Sequence, residues 1–458
     1  MLAPPFAMRL LRLLIALLLG TVLLAQPVMA QSILRDAETE ALFHDLALPL
    51  IKAAGLDPKN VRVVLVNDPE INAFATQGQD VYLNAGLVMA AKNANEVQGV
   101  VAHELGHVAA GDVLRGDQGI KQATGIMLLS LLLGAAAIAA GGGEAGAGIL
   151  SAGQQAAVGK FLAFTRVQES GADESARRFL RTAGISGRGM ISFFRTLQNQ
   201  EYRLQIKPDE FASSHPLTAD RIQLLSDQLP NDPAWNTPTP PALEARFQRV
   251  RAKLAGYLLE PKDTLIRYPA SDTSIPARYA RAYAYHKGAY PDKAVAEVDA
   301  LLAQNASDPY YQELKGQILL ESGKPAEALP LLRSAVQATN YQPLIATTFG
   351  HALLATENPA NYSEAKGVLR AAIQRDNENP FAWYQLGVIY SSEGDQARAS
   401  LATAERYLLE GQPRLANQHA ALAARGLPTG SPDWLRAQDI ALTTQSAVKG
   451  RRGQGQGR

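Results

Sequence analysis

The sequence predicts a mainly helical α+β fold, in which a domain with a small β-sheet precedes an all-helical solenoid. Three observations carry this prediction: β-branched and apolar runs within residues 61–84, long segments of helical periodicity, and a 34-residue repeat beyond Ile275. At 458 residues the chain is too long for a single hydrophobic core, so two or three domains are expected.

The N-terminus has the order of a secretory signal peptide. Arg9 and Arg12 precede an uncharged apolar run, residues 13–24, and small residues precede a cleavage point after Ala30. The sequence therefore predicts a signal peptide over residues 1–30 and a mature protein that works outside the cytoplasm. An uncleaved membrane anchor is the alternative interpretation, whereas the absence of cysteine excludes a lipoprotein anchor.

Composition excludes several kinds of partner and site. The formal net charge is +1, from 44 basic and 43 acidic residues, so no nucleic-acid partner is expected. The chain has no cysteine, which excludes a thiol nucleophile, a disulfide framework and a cysteine-ligated metal.

The elements of the first domain follow from hydrophobic periodicity. Apolar residues at helical spacing predict an opening helix over about 31–56, and the β-branched run 61–66 predicts a strand. Two short segments, 71–75 and 81–84, predict neighbouring strands of a small sheet. A helix is expected from about 95 to 110, ended by the glycine that follows it.

An apolar segment interrupts this domain. Residues 126–140 carry no charge and, at ~1.5 Å per residue, span about 22 Å, short of the ~30 Å hydrocarbon core of a bilayer. The glycine-rich residues 141–146 reverse the chain, which predicts a helical hairpin over 126–155. Burial over the first domain is the favoured interpretation. Peripheral membrane contact, binding of unfolded substrate and a membrane-spanning hairpin are the alternatives.

A proline-rich segment that begins at Pro230 marks the best domain boundary. It separates a first domain, residues 31–229, from a linker and connecting helix over residues 230–274. Repeats follow over residues 275–426, and residues 427–458 are expected to form a C-terminal tail with a disordered end.

The repeats have the spacing of the tetratricopeptide pattern, a helix-turn-helix unit of 34 residues. Small residues let the two helices of a unit approach closely, and aromatic residues fill the gaps. Three to four copies, one with a three-residue insertion near 358–361, predict a short solenoid whose groove binds a peptide or a partner protein. The positions that carry the pattern are Gly316, Ala328, Ala335, Gly350, Ala372, Trp383, Leu386, Gly387, Tyr390 and Ala399.

The segment from His103 to His107 has the pattern HExxH on a predicted helix. Because residues i and i+4 lie on one helical face, the two imidazoles can converge on one ion. Glu104 lies beside them and can accept the proton of a zinc-bound water as it attacks a peptide carbonyl. The alternative, two solvated histidines on a surface helix, is disfavoured by the apolar residues around the motif.

Tetrahedral zinc needs a third protein ligand. A helix predicted over about 156–182 carries Glu169 and Asp173, again four residues apart. Glu169 is the predicted ligand, and Asp173 is predicted to accept a hydrogen bond from the second ring nitrogen of a ligating histidine. Small residues at Gly171 and Ala172 favour close packing of this helix. A pair of surface carboxylates is the alternative.

HExxH followed by Glu-x-x-Ala-Asp is similar to the gluzincin peptidases that include CAAX prenyl endopeptidase and HtpX. The similarity extends through residues 72–75 and 84–87 to 214–216. A repeat domain behind a signal peptide resembles the periplasmic BepA-type branch of this family. The resemblance implies a zincin-like metallopeptidase domain.

The resemblance also implies residue roles. One Zn²⁺ per chain is bound by His103, His107 and Glu169, Glu104 is the general base, and Asp173 supports a ligand from behind.

His215 lies in a segment that matches the family, and a proline follows it. It is expected either to stabilise the oxyanion, with Arg221 as a fixed cation, or to occupy the open zinc position and keep the enzyme latent. A loop histidine that packs locally is the third possibility.

The function these features imply is that of a periplasmic zinc endopeptidase acting on misfolded or stalled envelope and outer-membrane proteins. The repeats would recruit protein or peptide substrates, or outer-membrane assembly machinery. The alternative is a mostly latent protease that acts as a chaperone or binding scaffold. Residues 78–84 are predicted to form the sheet edge that binds substrate as an added strand.

Overall fold

The structure is a computed structural model that describes residues 33–76, 78–139, 143–204, 215–216 and 218–445. The predicted signal peptide (1–30) and the end of the tail (446–458) lie outside the described residues. Within them, the chain forms the expected mainly helical α+β fold, with one small sheet in the first domain and only helices beyond residue 241.

The sheet has four short strands in the order β1-β2-β4-β3. Three of them match predicted strands: β2 (Val63–Val66), β3 (Ala73–Ala75) and β4 (Val81–Asn84). β2 and β4 are parallel, and β3 pairs antiparallel with β4. The fourth strand, β1 (Ile33–Leu34), pairs antiparallel with β2.

β1 corrects the start of the predicted opening helix. Ile33 and Leu34 belong to the sheet, and helix α1 (Ala37–Ala53) begins after them. Asp36 caps this helix by accepting a hydrogen bond from the backbone N–H of Thr39 at 2.9 Å. Ile33 and Leu34 therefore belong to the sheet and are not part of the apolar face of the helix.

The predicted substrate-binding edge at residues 78–84 is wrong. β4 lies inside the sheet, between the parallel strand β2 and the antiparallel strand β3, so both of its sides are hydrogen-bonded. The free edge on this side of the sheet is β3.

Six helices complete the first domain. The helices are α2 (Ala85–Ala90), α3 (Ala94–Ala110), α4 (Asp112–Ala139), α5 (Gly143–Ala183), α6 (Arg188–Leu204) and α7 (Ala219–Gln228). Among them, α3 confirms the helix predicted at 95–110 and packs mainly against α5 and α6 and against α1. It ends at Gly111, whose φ of 69° is the left-handed conformation that glycine adopts without strain. Asn93 caps its start by accepting from Glu96 N–H at 3.0 Å.

α4 and the first part of α5 form the predicted helical hairpin, but its predicted burial is wrong. Its large apolar side chains face away from the protein, and that of Leu132 is 70% exposed. The physical reason is that the two helices contact each other mainly through small residues. Their large apolar side chains therefore lie on the outer surface of the hairpin.

The connecting segment is packed against both neighbours. α8 (Pro241–Leu258) inserts Phe247 and Val250 into the core of the first domain, and the short α9 (Pro261–Arg267) follows it. On the opposite side of α8, Arg249 lies 2.7 Å from Asp308, a residue of the repeats.

The repeats form consecutive helical hairpins, and the described residues contain five of them where three to four copies were predicted. The second helix of the fifth hairpin lies at residues 432–443, so the prediction of a tail from residue 427 is wrong for this part. First helices begin at residues 275, 309, 343, 380 and 413, and the short 3-10 helix Pro359–Asn361 accommodates the predicted insertion. A Cβ on Gly316 would lie 2.6 Å from Leu332 Cγ, which explains the requirement for a small residue there. The helices are α10 (Ile275–Lys287), α11 (Pro291–Leu302), α12 (Pro309–Glu321), α13 (Pro325–Ala338), α14 (Pro343–Ala355), α15 (Tyr362–Arg375), α16 (Pro380–Ser392), α17 (Gln396–Leu409), α18 (Pro413–Gly426) and α19 (Pro432–Thr443).

Candidate active site

The HExxH residues lie on the buried face of α3. His103 and Glu104 are fully buried and His107 nearly so, which removes the alternative of solvated surface histidines. The Nε2 atoms of the two histidines are 3.3 Å apart, as expected for positions one helical turn apart.

α5 brings Glu169 and Asp173 to the same place. The two helices approach closely because Gly106 has no side chain: a Cβ there would lie 2.8 Å from the carbonyl oxygen of Ala172. The predicted small residue Ala172 is therefore at the interface, whereas Gly171 has no atom within 4 Å of a Cβ and lies outside it.

Four side chains converge with the spacing of a metal site. His103, His107, Glu169 and His215 place one ligand atom each within 4.8 Å of the others. His103 Nε2 is 3.3 Å from Glu169 Oε2 and 3.4 Å from His215 Nδ1, and His107 Nε2 is 3.5 Å from Glu169 Oε1. A tetrahedron with ligand bonds of ~2.0–2.1 Å has edges of about 3.4 Å, so these separations fit one tetrahedral ion.

The hydrogen bonds behind the histidines fix which nitrogen faces the ligand cluster. His103 Nδ1 lies 3.0 Å from Asp173 Oδ1, and His107 Nδ1 lies 3.0 Å from Asp112 Oδ2. Each carboxylate keeps a proton on the adjacent Nδ1, so both Nε2 atoms present lone pairs to one another and to Glu169. Acceptors this close need a cation between them, and the donor set therefore fits a metal ion.

The pKa shifts of the histidines and of Glu169 also indicate that the cluster favours a positive charge. Burial alone would lower the pKa of both histidines, but hydrogen bonds to carboxylates raise it, and His107 reaches about 10 through Asp112 and Glu169. The pKa of Glu169 is lowered, because the three histidines outweigh the effect of burial. Since a metal ion and a proton compete for the same ring nitrogens, these carboxylates also strengthen metal binding.

Asp112 is a functional residue that the sequence analysis missed. It follows the left-handed Gly111, which turns the chain so that the carboxylate faces back to His107, five residues earlier. An acidic residue directly after the glycine that ends an HExxH helix is the signal that could have found it.

Glu104 lies beside the cluster but outside it. Neither of its carboxylate oxygens has a hydrogen-bond partner among the described residues, although both are buried. Oε1 is 3.7 Å from His215 Nε2. An unpartnered buried carboxylate is costly unless something else satisfies it, which is the situation expected of a group that holds a water or substrate proton.

His215 and Arg221 have different surroundings. His215 Nδ1 is 3.0 Å from Glu169 Oε1, so this ring occupies the fourth corner of the cluster; Ser214 lies outside the described residues. Arg221 is buried behind the site, where its guanidinium donates to Asp173 at 2.7 and 2.9 Å and to the carbonyl oxygen of Pro216 at 2.7 Å. Arg221 thus connects the His215 segment to the helix that carries Glu169.

Two histidines and a glutamate on adjacent helices, with a buried carboxylate beside them, define a metalloprotease. Residues 34–229 match Peptidase family M48.

Two relatives are similar over most of this chain, and a third over a shorter part of it. The chain is 26% identical over 358 residues to a beta-barrel assembly-enhancing protease of Yersinia pestis, covering 76% of this chain and 71% of the relative. The protein of that name in Escherichia coli K12 is 22% identical over 389 residues, covering 83% and 77%. Metalloprotease LoiP of Escherichia coli K12 is 32% identical over 178 residues, covering 38% and 64%. The chain is therefore similar to BepA-like metallopeptidases that carry tetratricopeptide repeats.

Proposed function

We propose that this protein is a zinc-dependent endopeptidase of the periplasm that acts on envelope and outer-membrane proteins. The observation that carries the enzymatic part is the tetrahedral spacing of His103, His107 and Glu169 next to Glu104, whose buried carboxylate has no hydrogen-bond partner among the described residues. The cell compartment and the substrate class are supported by the predicted signal peptide and by the names of the relatives.

Zinc, when bound by these three ligands, supplies a Lewis acid that makes water a nucleophile near neutral pH. Glu104 accepts the proton of the attacking water and passes it to the leaving amine. Asp173 and Asp112 hold the two imidazoles in the ligating tautomer. Arg221 positions Asp173 rather than contacting substrate, since its guanidinium is already bonded to that carboxylate.

His215 is proposed to close the site as a fourth ligand. Its Nδ1 stands where a catalytic zinc site keeps a position for water, and its Nε2 faces Glu104. Activation then requires the segment around His215 to move away. This hypothesis favours a mostly latent protease over one that cleaves any unfolded chain it meets.

Substrate is proposed to bind as an added strand along β3. Among the described residues this strand is paired on one side only, and it lies beside the motif helix, so its outer edge is the proposed place for an extended peptide. The repeats are proposed to recruit protein substrates or outer-membrane assembly machinery, because the relatives are named for beta-barrel assembly. The alternative, a chaperone or scaffold with little proteolysis, is favoured by the closed position of His215.

Glu104→Gln and His215→Ala test this proposal together, with Glu174→Gln as a control on an exposed carboxylate. All three variants should keep one zinc per chain by metal analysis. Cleavage of unfolded casein should fall at least 100-fold in Glu104→Gln, the size of effect expected for a general base. His215→Ala should cleave faster than wild type.

The outcomes separate the hypotheses. Stoichiometric zinc with no cleavage that depends on Glu104 favours the scaffold, and lack of zinc refutes the enzyme. A fall in kcat for His215→Ala, with KM unchanged, assigns this residue to oxyanion stabilisation instead of closure.

A further inference from the structure

The hairpin of α4 and α5 contains two uncharged stretches of similar length. Residues 122–139 of α4 and residues 145–159 of α5 contain no charged side chain. At ~1.5 Å per residue they extend about 27 and about 22 Å, so the first nearly matches the ~30 Å hydrocarbon core of a bilayer and the second reaches about three quarters of it. The first charged residues beyond them are Lys121 and Lys160 at one end and Glu144 at the other.

Helix α4 is long and apolar enough to cross a membrane, yet it is exposed. The segment Ile120–Ile138 has a mean hydropathy of 1.5, and 6% of it is buried. Leu131, Leu132 and Leu133 are each more than half exposed, and because successive helical residues point about 100° apart, they cover more than half of the circumference. Helices that are apolar on all sides belong in a protein core or in a membrane.

The contact between the two helices is of the kind found inside membranes. A Cβ on Gly146 would lie 2.4 Å from Ile138, and one on Gly153 would lie 1.8 Å from Ser130 Oγ. Small residues of this kind let membrane helices approach without relying on the hydrophobic effect. Ser130 donates its hydroxyl to the backbone oxygen of Ile126 at 2.8 Å, so its polar group is satisfied within its own helix.

The flanking charges match a bilayer surface. Lys121, Lys160 and Arg166 are exposed at the base of the hairpin, where their long side chains can reach phosphate headgroups. Glu144 lies near the tip, at the far end of the uncharged stretches from the base, where its charge is close to the opposite headgroup layer.

We propose that the hairpin inserts from its base into a lipid bilayer that contains anionic headgroups. A second copy of the chain or an unfolded polypeptide would cover one face and leave the others in water, whereas a bilayer covers all of them at once. Glu169 follows the last uncharged residue of α5 by ten residues, so the metal site is held about 15 Å from the membrane surface. This inference goes beyond the proposed function and does not depend on it.

Vesicle flotation tests the proposal. The exported, processed protein is mixed with phosphatidylcholine vesicles, with or without phosphatidylglycerol, after mass analysis confirms loss of residues 1–30. Wild type should float, more so with phosphatidylglycerol, and Leu128→Glu/Leu132→Glu should float at least tenfold less. Leu422→Glu/Leu442→Glu, which changes two exposed leucines of the repeats, should float as wild type does.

Cysteine protection provides the second measurement, since the natural chain has no cysteine. Vesicles should protect Leu132→Cys from a water-soluble maleimide and leave Leu422→Cys reactive. The proposal would be overturned if wild type floated with neither kind of vesicle. It would also be overturned if Leu128→Glu/Leu132→Glu floated as well as wild type. Protection of Leu132→Cys without vesicles, with a dimer in sedimentation, would assign the hairpin to a second copy instead. Casein cleavage in solution should be unchanged in both leucine double variants, which separates this test from that of the proposed function.

Discussion

Asp173→Asn isolates the contribution of one supporting carboxylate to metal affinity. In the structure Asp173 Oδ1 lies 3.0 Å from His103 Nδ1, and both of its oxygens accept from Arg221. The amide keeps the shape but removes the charge, so it no longer favours the ligating tautomer of His103. It also leaves the buried Arg221 guanidinium with one less anionic partner.

Loss of such a supporting partner typically weakens metal binding 10–100-fold. At 1.36 kcal/mol per factor of ten, this corresponds to about 1.4–2.7 kcal/mol of binding free energy. The upper part of this range is expected here, because Asp173 holds both a ligating histidine and the arginine that lies 2.9 Å from Glu169. Asp112→Asn, which affects His107 alone among the ligands, should fall in the lower part.

Zinc affinity is measured by competition with a chromophoric chelator, and the metal-free proteins are compared by thermal unfolding. Glu174→Gln is the matched control, since it removes a carboxylate one residue away whose side chain is 58% exposed. If Asp173→Asn bound zinc within twofold of wild type while Glu174→Gln did the same, the support assigned to this carboxylate would be refuted.

Two further substitutions test the packing and the charges around the site. Gly106→Ala should lower the free energy of unfolding by about 1–3 kcal/mol and reduce zinc content, because the new Cβ would meet the backbone of Ala172. The control Gly171→Ala lies on the open face of the helix and should be neutral or stabilising in thermal unfolding. Burial raises the pKa of Glu313 to about 8 against the opposing effect of Lys253, so the folded protein holds a proton that the unfolded chain releases near pH 4.5. The contribution of Glu313 to stability is therefore lost as pH rises from about 4.5 to 8, and the melting temperature of Glu313→Gln should rise relative to wild type across this range; a constant difference would contradict the assignment.

Local pattern was sufficient for much of the site. The i, i+4 spacings of His103 with His107 and of Glu169 with Asp173 set which side chains share a helical face, and both helices form where periodicity predicts them. The convergence of the two pairs is a tertiary fact that no local spacing contains. It was predicted because the residue types of the two pairs complement each other around one ion and because the combined motif resembles that of a known peptidase family.

Exposure was less predictable than structure type. The hairpin at residues 126–155 is helical as predicted, but a uniformly apolar helix has no polar face to show which side meets water. β1 was missed for a similar reason, since Ile33 and Leu34 fit both a helical stripe and a two-residue strand. Asp112 was missed because its function depends on the turn at Gly111 and not on a spacing from the motif.

The proline-rich segment suggests a flexible connection, but the contacts across it argue for a rigid one. Lys253 of α8 is buried and bonds Asp36 at 2.5 Å, next to the first helix of the peptidase domain. Glu38 in that helix accepts from Tyr279 of the repeats at 2.8 Å, and Arg249 lies 2.7 Å from Asp308.

Removing one partner from such a buried ionic network typically costs about 3–5 kcal/mol, so free rotation about the linker would require breaking several bonds of this kind. A protein bound to the repeats is therefore held at a fixed distance and orientation from β3 and the metal site. Under the proposed function, recruitment would select which chains reach the site, and movement of His215 would control whether they are cut.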